Sequence, residues 1–429
     1  MSDLTGKTLL LLGGDPFSVD IVRKAREMGV RTVVTDWYDT DRSPAKKIAD
    51  AWWDVSIQDY DVLSRRMKEE SVDGVLTGFT DSYLVPYAHL CAMNGLPCYG
   101  TEEQFRILTD KARYKALCRQ YGVPTIPQYS PDDPDIRFPV LVKPVDGSGS
   151  RGISICRGRE ELERALDVAK GVSSNGEVLV ERYMEGPEVT VFWLFMDGKA
   201  FLTAIGNRHV KHNQAGNIIP LPVGYTFPAS VIPKYREEVE ERAKAMFSAI
   251  GLKNGMLFMQ CKVEDGTCYV YDIGFRLTGS LEYKLLGRAC GYDPLEMLIR
   301  HALTGRMALD PEAAAARIDP AGMSPCYNVS CLCSPGLIRE ITGLEEIRMR
   351  EDVIDVLLTH FPGHRITEQM KGLLAQITVR VLGCVQKTED LYPAMALVGR
   401  QLHILSDEGK ELLLPGIERE DIENVILEK

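Results

Sequence analysis

The feature that most restricts the fold is a glycine-rich stretch between two short apolar segments. Residues 138–145, "FPVLVKPV", and residues 152–156, "GISIC", are both typical of β-strands. The small residues between them let backbone NH groups approach phosphate oxygens closely. Lys143 stands at the base of the loop and would add a positive charge. This pattern predicts a strand–loop–strand flap over phosphate, although the loop alone fits a flexible surface turn equally well.

Three familiar glycine-loop sites differ from this one in their surroundings. The spacing Gly147-x-Gly149-x-x-Gly152 is that of dinucleotide-binding loops, but those loops lead into a helix and this one leads into a strand. A P-loop ends in Gly-Lys-Ser/Thr, whereas Lys143 precedes the glycines. A protein-kinase loop does lie between strands, but the H-R-D and D-F-G segments that should follow it are missing. What remains is a flap with a lysine at its base.

Composition and charge exclude several classes of partner. Fifty Lys and Arg against 61 Asp and Glu give a formal net charge of −11, and no Lys/Arg-rich block is present, so we expect no nucleic-acid partner. The apolar run Leu9 to Leu12 is far shorter than the roughly 18 residues that span a bilayer, so we expect no export and no membrane partner. The 11 cysteines lack paired framework spacing, which predicts reduced thiols and a cytoplasmic location.

The first hundred residues alternate apolar strands with helices, which implies a parallel sheet covered on both faces. The predicted strands are "KTLLLLGG", "RTVVTDW", "VDGVLTGF" and "LPCYG". Gly13, Gly14 and Asp36 match part of an NAD fingerprint, but its third glycine is missing and we do not expect NAD here.

The rest of the chain is predicted to mix helices with hairpins. A helix at 101–121 precedes a proline-rich connector, which indicates a boundary between units. Two hairpins turn at Asp197-Gly198 and at Asp265-Gly266. A loop to Pro228 and a helix through Ile250 separate them.

Four motifs, in order, resemble those of the ATP-grasp enzymes. They are "LTDKARYKALCRQYGVPTIP" before the connector, "FPVLVKPVDGSGSRGI" at the flap, "VLVERYMEGPEVTV" at the hinge and "YDIGFRLTGS" at the metal-binding strand, usually written E-x-N-x-R. The resemblance implies an α/β fold, α+β overall. Its units would be a Rossmann-like preceding domain (1–100), a small lobe with the glycine flap (101–184), a large lobe with the metal site (185–310) and a C-terminal α+β closing domain (311–429).

The resemblance further implies that ATP lies between the two lobes. Residues 181–184 would face adenine mainly through backbone groups, and Glu188 would hold the ribose hydroxyls. The implied ATP-binding residues are Lys111, Lys143, Gly147, Ser148, Gly149, Ser150, Gly152, Glu181, Arg182, Tyr183, Met184 and Glu188.

Gln260 and Asp272 are the implied metal ligands, for Mg²⁺ or for Mn²⁺ as a substitute. Both are polar residues in otherwise apolar strands, and Mg²⁺ prefers oxygen ligands. A three-residue loop at 265–267 would place them directly opposite each other, whereas a two-residue turn would shift the register by one.

Two departures from the family pattern make this metal site poorer in charge. Asp272 stands where the family has Glu, and Gly274 stands where it has Asn. Either fewer Mg²⁺ ions bind than usual, or another residue supplies a ligand, Glu264 and Glu282 being the candidates.

Arg276 is the implied catalytic residue, because the matching arginine of the family stabilises an acyl-phosphate and its tetrahedral successor. The segment 204–224 gathers cationic and titratable side chains, and its Gly and Asn content suits a mobile loop over the substrate. The candidate substrate-binding residues are Arg208, His209, His212, Thr278, Gly279 and Ser280.

The leading hypothesis is an ADP-forming carboxylate–amine ligase with small-molecule substrates. The segments "GLIREITGLEEIRMREDVIDVLLTHFPGHRI" and "VRVLGCV" are similar to the closing domain of dipeptide-forming amino-acid ligases. Two alternatives stay open. One is a bicarbonate-using carboxylase or carbamoyl-phosphate-type enzyme, and the other is a nucleotide-binding regulatory protein with weakened turnover. Family members often form homodimers, and no segment decides whether this chain does.

Overall fold

The computed structural model describes residues 4–146, 152–211 and 221–426 of the chain. In its N-terminal part, four parallel strands lie in the order β3-β2-β1-β4, with helices between them as the apolar alternation predicts. These elements are β1 (Thr8–Leu12), α1 (Ser18–Glu27), β2 (Arg31–Thr35), β3 (Ala51–Trp53), α2 (Tyr60–Glu69), β4 (Gly74–Thr77) and α3 (Leu84–Asn94).

The strand predicted at "LPCYG", residues 96–100, is wrong, because this segment forms no strand. The ring of Tyr99 instead packs against those of Tyr87, Phe105 and Phe275, with ring centroids 5.2–5.4 Å apart. The segment is therefore apolar because it joins an aromatic cluster between the N-terminal part and the rest of the molecule. The short strand β3 was not predicted.

A second, antiparallel sheet of four strands follows, in the order β5-β8-β6-β7. The single helix predicted at 101–121 is divided in two at Asp110, whose carboxylate accepts a hydrogen bond from the backbone NH of Arg113 and so begins a new helix. These elements are α4 (Glu102–Thr109), α5 (Lys111–Gln120), β5 (Gln128–Tyr129), β6 (Val140–Pro144), β7 (Ser154–Cys156), α6 (Arg159–Val172) and β8 (Val178–Arg182).

The next segment supplies five strands of a larger sheet and packs helix α10 against β4. Its elements are β9 (Glu188–Met196), β10 (Lys199–Lys211), β11 (Leu221–Phe227), α7 (Ile232–Tyr235), α8 (Glu241–Ala249), β12 (Gly255–Glu264), β13 (Thr267–Gly274), α9 (Glu282–Cys290) and α10 (Pro294–Thr304). The loop predicted up to Pro228 is wrong at β11, which pairs on both sides although Pro222 and Gly224 weaken its strand signal.

The C-terminal segment extends the same sheet across residue 310. The eight antiparallel strands follow the order β13-β12-β9-β10-β11-β14-β18-β16, and a separate sheet has the order β17-β15-β19. The C-terminal elements are α11 (Pro311–Ala315), β14 (Cys326–Leu332), β15 (Gly336–Thr342), α12 (Leu344–Arg348), β16 (Val353–Leu358), β17 (Arg365–Ile366), β18 (Ile377–Cys384), α13 (Leu391–Gln401), β19 (His403–Ser406) and α14 (Arg419–Ile426).

The expectation that every cysteine is a reduced thiol is wrong for one pair. Cys326 and Cys384 lie directly opposite each other on β14 and β18 and form a disulfide. The sequence could not show this, because the two cysteines are 58 positions apart and only the strand pairing brings them together. The other nine cysteines are free.

Among the residues that the structure describes, no helix is long and apolar enough to cross a membrane.

Candidate active site

At the base of the candidate site, a buried carboxylate lies between two lysines. The Nζ of Lys143, on β6, lies 2.7 Å from Oε2 of Glu181 on β8, and Lys115, on α5, forms an ion pair with Oε1. Burial alone would raise the pKa of Glu181, but the two ammonium groups lower it. Burial lowers the pKa of Lys115 to about 8, and Lys143 adds to this effect by charge repulsion. The Glu181 side chain is thus held by lysines.

The two lysines predicted for phosphate contact the metal-binding strand. Nζ of Lys143 donates to the carbonyl oxygen of Tyr271 at 3.3 Å, and the Tyr114 hydroxyl donates to the same oxygen at 2.8 Å. Nζ of Lys111 lies 3.9 Å from Oδ1 of Asp272. Lys111, Lys143 and Asp272 therefore lie together at the junction of the antiparallel four-stranded sheet and the eight-stranded sheet, and this junction is called the crevice below.

Gln260 and Asp272 lie directly opposite each other on β12 and β13, but not through the three-residue loop. The hairpin has the two-residue turn Asp265-Gly266, both residues with positive φ, and Glu264 pairs with Thr267. A β-bulge beyond Gln260 then inserts one extra residue on β13 and moves Asp272 into place. Bulge and turn together produce the facing pair.

Gln260 and Asp272 offer oxygen donor atoms, which are the kind that Mg²⁺ prefers. A carboxylate and an amide oxygen are hard oxygen ligands, and protein-bound Mg²⁺ commonly takes one or two carboxylates and completes its shell with phosphate oxygens and water. In the described residues no group of three or more His, Cys, Asp or Glu could hold a metal. Glu264, a candidate for an additional metal ligand, accepts a hydrogen bond from the guanidinium of Arg182 at 2.8 Å. A Cβ at Gly274 would lie 2.3 Å from the Phe258 ring, so no ligating side chain fits there.

Glu188 is the centre of a second buried cluster. Its carboxylate contacts the guanidinium of Arg208, Nζ of Lys262 at 2.8 Å and the hydroxyl of Tyr271 at 3.0 Å. Burial would raise the pKa of Glu188, but Arg208 and Lys262 lower it to about 2. Arg208 therefore lies in the cleft beside the residue predicted for the ribose.

The predicted hinge joins the small sheet to the large one. The backbone NH of Arg182 donates to Pro127 and that of Tyr183 to Pro139, and the Met184 side chain is buried. Of the predicted flap residues, Gly152 is described, whereas Gly147, Ser148, Gly149 and Ser150 lie outside the described residues.

Arg276 is bound to the N-terminal part of the molecule. Its Nε and Nη2 donate to the two carboxylate oxygens of Asp81 at 2.6 and 2.8 Å, and its guanidinium lies 5.2 Å from the centre of the Phe258 ring. Charge attraction to Asp81 raises the pKa of Arg276 against the effect of burial. Beyond it, the Thr278 hydroxyl donates to Glu282 and the Ser280 hydroxyl to Thr278.

His209 is placed away from the cleft, which corrects its predicted role. Arg208 and His209 are neighbours on β10, so they project to opposite faces of the sheet. His209 Nδ1 donates to the carbonyl of Asp421 at 3.0 Å and its Nε2 accepts from the Thr226 hydroxyl at 2.8 Å. Residues 204–211 are strand and not a mobile loop, and His212 lies outside the described residues.

Sequence reasoning missed several residues of this region, among them Lys115, Lys262, Tyr271 and Asp81. Lys115 follows Lys111 by four positions, so both lie on one face of α5, and this spacing could have indicated it. Asp81 and Tyr271 have no such local signal.

Comparison with known proteins assigns a segment of the chain to a domain family. Residues 136–281 match the family model of the ATP-grasp domain. The 2-oxoglutarate carboxylase small subunit of Hydrogenobacter thermophilus is 25% identical over 286 residues, 59% of this chain and 60% of that subunit. The chain spans at most 39% of the length of the carbamoyl phosphate synthase large chains that also match.

Two solved structures share the fold over almost the whole chain. The L-amino acid ligase of Bacillus licheniformis has a TM-score of 0.76 at 20% identity and covers 94% of this chain and 99% of its own. The biotin carboxylase domain dimer of the Hydrogenobacter enzyme, in complex with MgADP, ADP and bicarbonate, has a TM-score of 0.75 at 18% identity and covers 95% and 91%. Sequence motifs, family model and fold agree, and residues 136–281 of the chain are an ATP-grasp domain.

Proposed function

We propose that this chain is an ATP-dependent, ADP-forming ligase that joins a carboxylate to an amine. The observation that carries the proposal is the crevice in which Lys111 and Lys143 meet Asp272. ATP is strongly anionic at neutral pH, so a carboxylate reaches its γ-phosphate only where cations and directed donors offset the repulsion. Two ammonium groups on one side and two oxygen ligands on the other meet that requirement.

The predicted nucleotide-binding and metal-binding residues have the following roles in this proposal. The backbone of 181–184 holds adenine, Glu188 the ribose, and Lys111 and Lys143 the phosphates. Lys115 keeps Glu181 paired when Lys143 turns to a phosphate, because both lysines contact that carboxylate. Mg²⁺ held by Asp272 and Gln260 would supply charge neutralisation at the phosphates.

The proposed chemistry has two steps. A carboxylate oxygen of the substrate attacks the γ-phosphorus of ATP, and the bond from that phosphorus to the oxygen that bridges it to the β-phosphate breaks. ADP departs, and the substrate has become an acyl-phosphate. The amine nitrogen then attacks the acyl carbon, and the bond from that carbon to the phosphate oxygen breaks. Phosphate leaves with the bonding electrons and takes up the proton that the nitrogen loses. Arg276 stabilises the negative charge that grows on oxygen in both steps, since its guanidinium is fixed in place by Asp81. Thr278 and Ser280 orient the carboxylate.

Two specific observations support other functions. The structural neighbour in complex with bicarbonate supports a bicarbonate-using enzyme. Asp272 and Gly274 in place of Glu and Asn support a regulatory protein with little turnover. These alternatives predict different substrates, so one assay separates all three.

The test is ADP release by the purified chain with ATP and Mg²⁺, followed with pools of carboxylates, pools of amines, both together, or bicarbonate alone. The ligase predicts ADP release that needs both a carboxylate and an amine. Release that bicarbonate alone stimulates supports the carboxylase alternative, and no stimulation by any pool contradicts the ligase.

A variant pair tests the nucleotide site independently of turnover. Lys143→Ala should weaken MgADP binding by about tenfold or more, because it removes a charge-assisted contact to phosphate. Lys170→Ala, at an exposed lysine near the end of α6, should leave it unchanged. Titration calorimetry measures both, and normal affinity in Lys143→Ala would remove this lysine from the site.

A further inference from the structure

One face of the large sheet carries polar side chains well beyond the crevice. Arg208 on β10 lies opposite Tyr225 on β11, and Tyr225 lies opposite Asn328 on β14. Two residues further along β14, Ser330 lies opposite Arg380 on β18. Opposite residues of antiparallel strands project to the same face, as do residues two apart on a strand. All five side chains therefore line the face on which Arg208 contacts Glu188.

Three polar atoms in this region are buried and have no hydrogen-bond partner among the residues that the structure describes. They are Oε1 of Glu282, Oδ1 of Asn328 and Nε of Arg380. The three residues are only 1%, 0% and 5% exposed, respectively. Folded proteins pair the large majority of such atoms, because an unpaired buried polar group is costly. Three such atoms in one region, two on the sheet and one on α9, indicate a place where a ligand supplies the partners.

These residues are held close together by contacts between the sheet and α9. The Asn328 amide donates to the carbonyl oxygen of Ser280, and the Thr278 hydroxyl donates to the Glu282 carboxylate. Helix α9, which begins at Glu282, packs against both β14 and β18. Burial raises the pKa of Glu282, and the positive charge of Arg380 opposes that rise.

The donors and acceptors of these three residues suit a ligand that carries both a negative and a positive group. Arg380 uses Nη1 to donate to the Ser330 hydroxyl at 2.7 Å, and its remaining NH groups form a fork that suits a carboxylate. The Glu282 and Asn328 oxygens can only accept, which suits an ammonium group. The turn that carries Thr278 also follows Arg276, so such a ligand would lie beside the proposed acyl-phosphate.

We propose that Arg380, Asn328 and Glu282 bind the amine substrate, and that this substrate is an α-amino acid. Arg380 binds its carboxylate, while Glu282 and Asn328 accept hydrogen bonds from its ammonium group. This inference rests on the proposed ligase function for the role of the amino acid as the attacking amine, but the binding itself needs no turnover.

The test is titration calorimetry of the full chain with each common L-amino acid in turn, without ATP. At least one should bind, and its analogues that lack the amino group or the carboxylate should bind at least about tenfold more weakly. No binding by any of them, or equal binding by an analogue without the ammonium group, overturns the proposal. ADP release with a carboxylate and a simple amine would still support the ligase.

Variants separate binding from folding. Arg380→Lys, which keeps the charge but loses the fork, and Asn328→Leu, which removes an unpaired acceptor, should each weaken amino-acid binding about tenfold or more. Arg350→Lys, which disrupts an arginine paired with Asp352 elsewhere in the C-terminal segment, should lower thermal stability without changing binding. If Arg380→Lys and Asn328→Leu bind normally while their stability falls, the cluster is structural and the proposal is wrong.

Discussion

Two glutamates at the candidate site each bind two cations in the protein interior. Glu181 is paired with Lys115 and Lys143, and Glu188 with Arg208 and Lys262. Replacing either glutamate would leave two buried cations without their shared carboxylate, and an unpaired buried charge costs more than an ion pair contributes. A buried histidine differs from these glutamates, because burial keeps its side chain neutral.

His209 gives the protein a dependence on pH that can be measured. Burial lowers its pKa from 6.5 to about 4, so the unfolded chain takes up the proton near pH 6.5 and the folded protein only near pH 4. The contribution of neutral His209 to stability is therefore complete above about pH 6.5 and is lost as the pH falls towards 4, by about 3 kcal/mol.

Urea denaturation across this pH range checks the effect. His209→Gln should flatten the dependence of the free energy of unfolding on pH. His403→Gln, at a histidine whose side chain is 56% exposed, should keep the dependence of the parent. Equal slopes in the parent and His209→Gln would contradict the buried neutral state.

At the scale of single elements, the hairpin turns fix which residues face each other. Asp197 and Gly198 both have positive φ, 49° and 82°, as a two-residue turn between twisted strands requires. Gly198 has open space where a Cβ would lie, so only its backbone conformation demands glycine.

Gly198→Ala should therefore lower the free energy of unfolding by about 1 kcal/mol, the order of the cost of positive φ for a residue with a Cβ. Gly171→Ala is the matched control, because Gly171 lies in α6 with equally open space and without positive φ. That change should stabilise by a few tenths to about 1 kcal/mol. Urea denaturation measures both, and effects of the same sign would refute the argument.

Across the whole molecule, Lys284 on α9 links the N-terminal part to the C-terminal segment. Its Nζ lies 2.6 Å from Asp20 of α1 and also forms an ion pair with Asp355 of β16. The Tyr283 hydroxyl donates to the same Asp20 at 2.9 Å. Asp20 is buried, so its carboxylate depends on these two partners.

Lys284→Ala should lower the free energy of unfolding by about 1–3 kcal/mol, because it leaves a buried carboxylate with one partner fewer. Lys244→Ala, which removes ion pairs to Glu240 and Glu241 within one helix surface, should cost at most about 1 kcal/mol. The comparison uses urea midpoints of the two variants. An equal shift in both would show that Lys284 is no more than a surface charge.

The sequence by itself determined the features that depend on neighbouring residues. The alternation of apolar strands and helices, the two glycine turns and the flap strands β6 and β7 follow from local propensity and periodicity. The ordered motifs then indicated the ATP-grasp enzymes, and the family model confirms an ATP-grasp domain over residues 136–281. The roles of the individual site residues and the domain boundaries stay predictions.

Tertiary structure alone decided how distant segments meet. Asp81 and Arg276 are 195 positions apart. In the bulge that sets Asp272 opposite Gln260, the extra residue is Tyr271, whose carbonyl oxygen accepts a hydrogen bond from the distant Lys143. The continuous sheet that brings Arg380 to the face of Arg208 arises because β11 pairs with β14 across residue 310. The physical reason is that such pairings are selected by the burial and hydrogen bonding of the whole sheet, which no short stretch of sequence records.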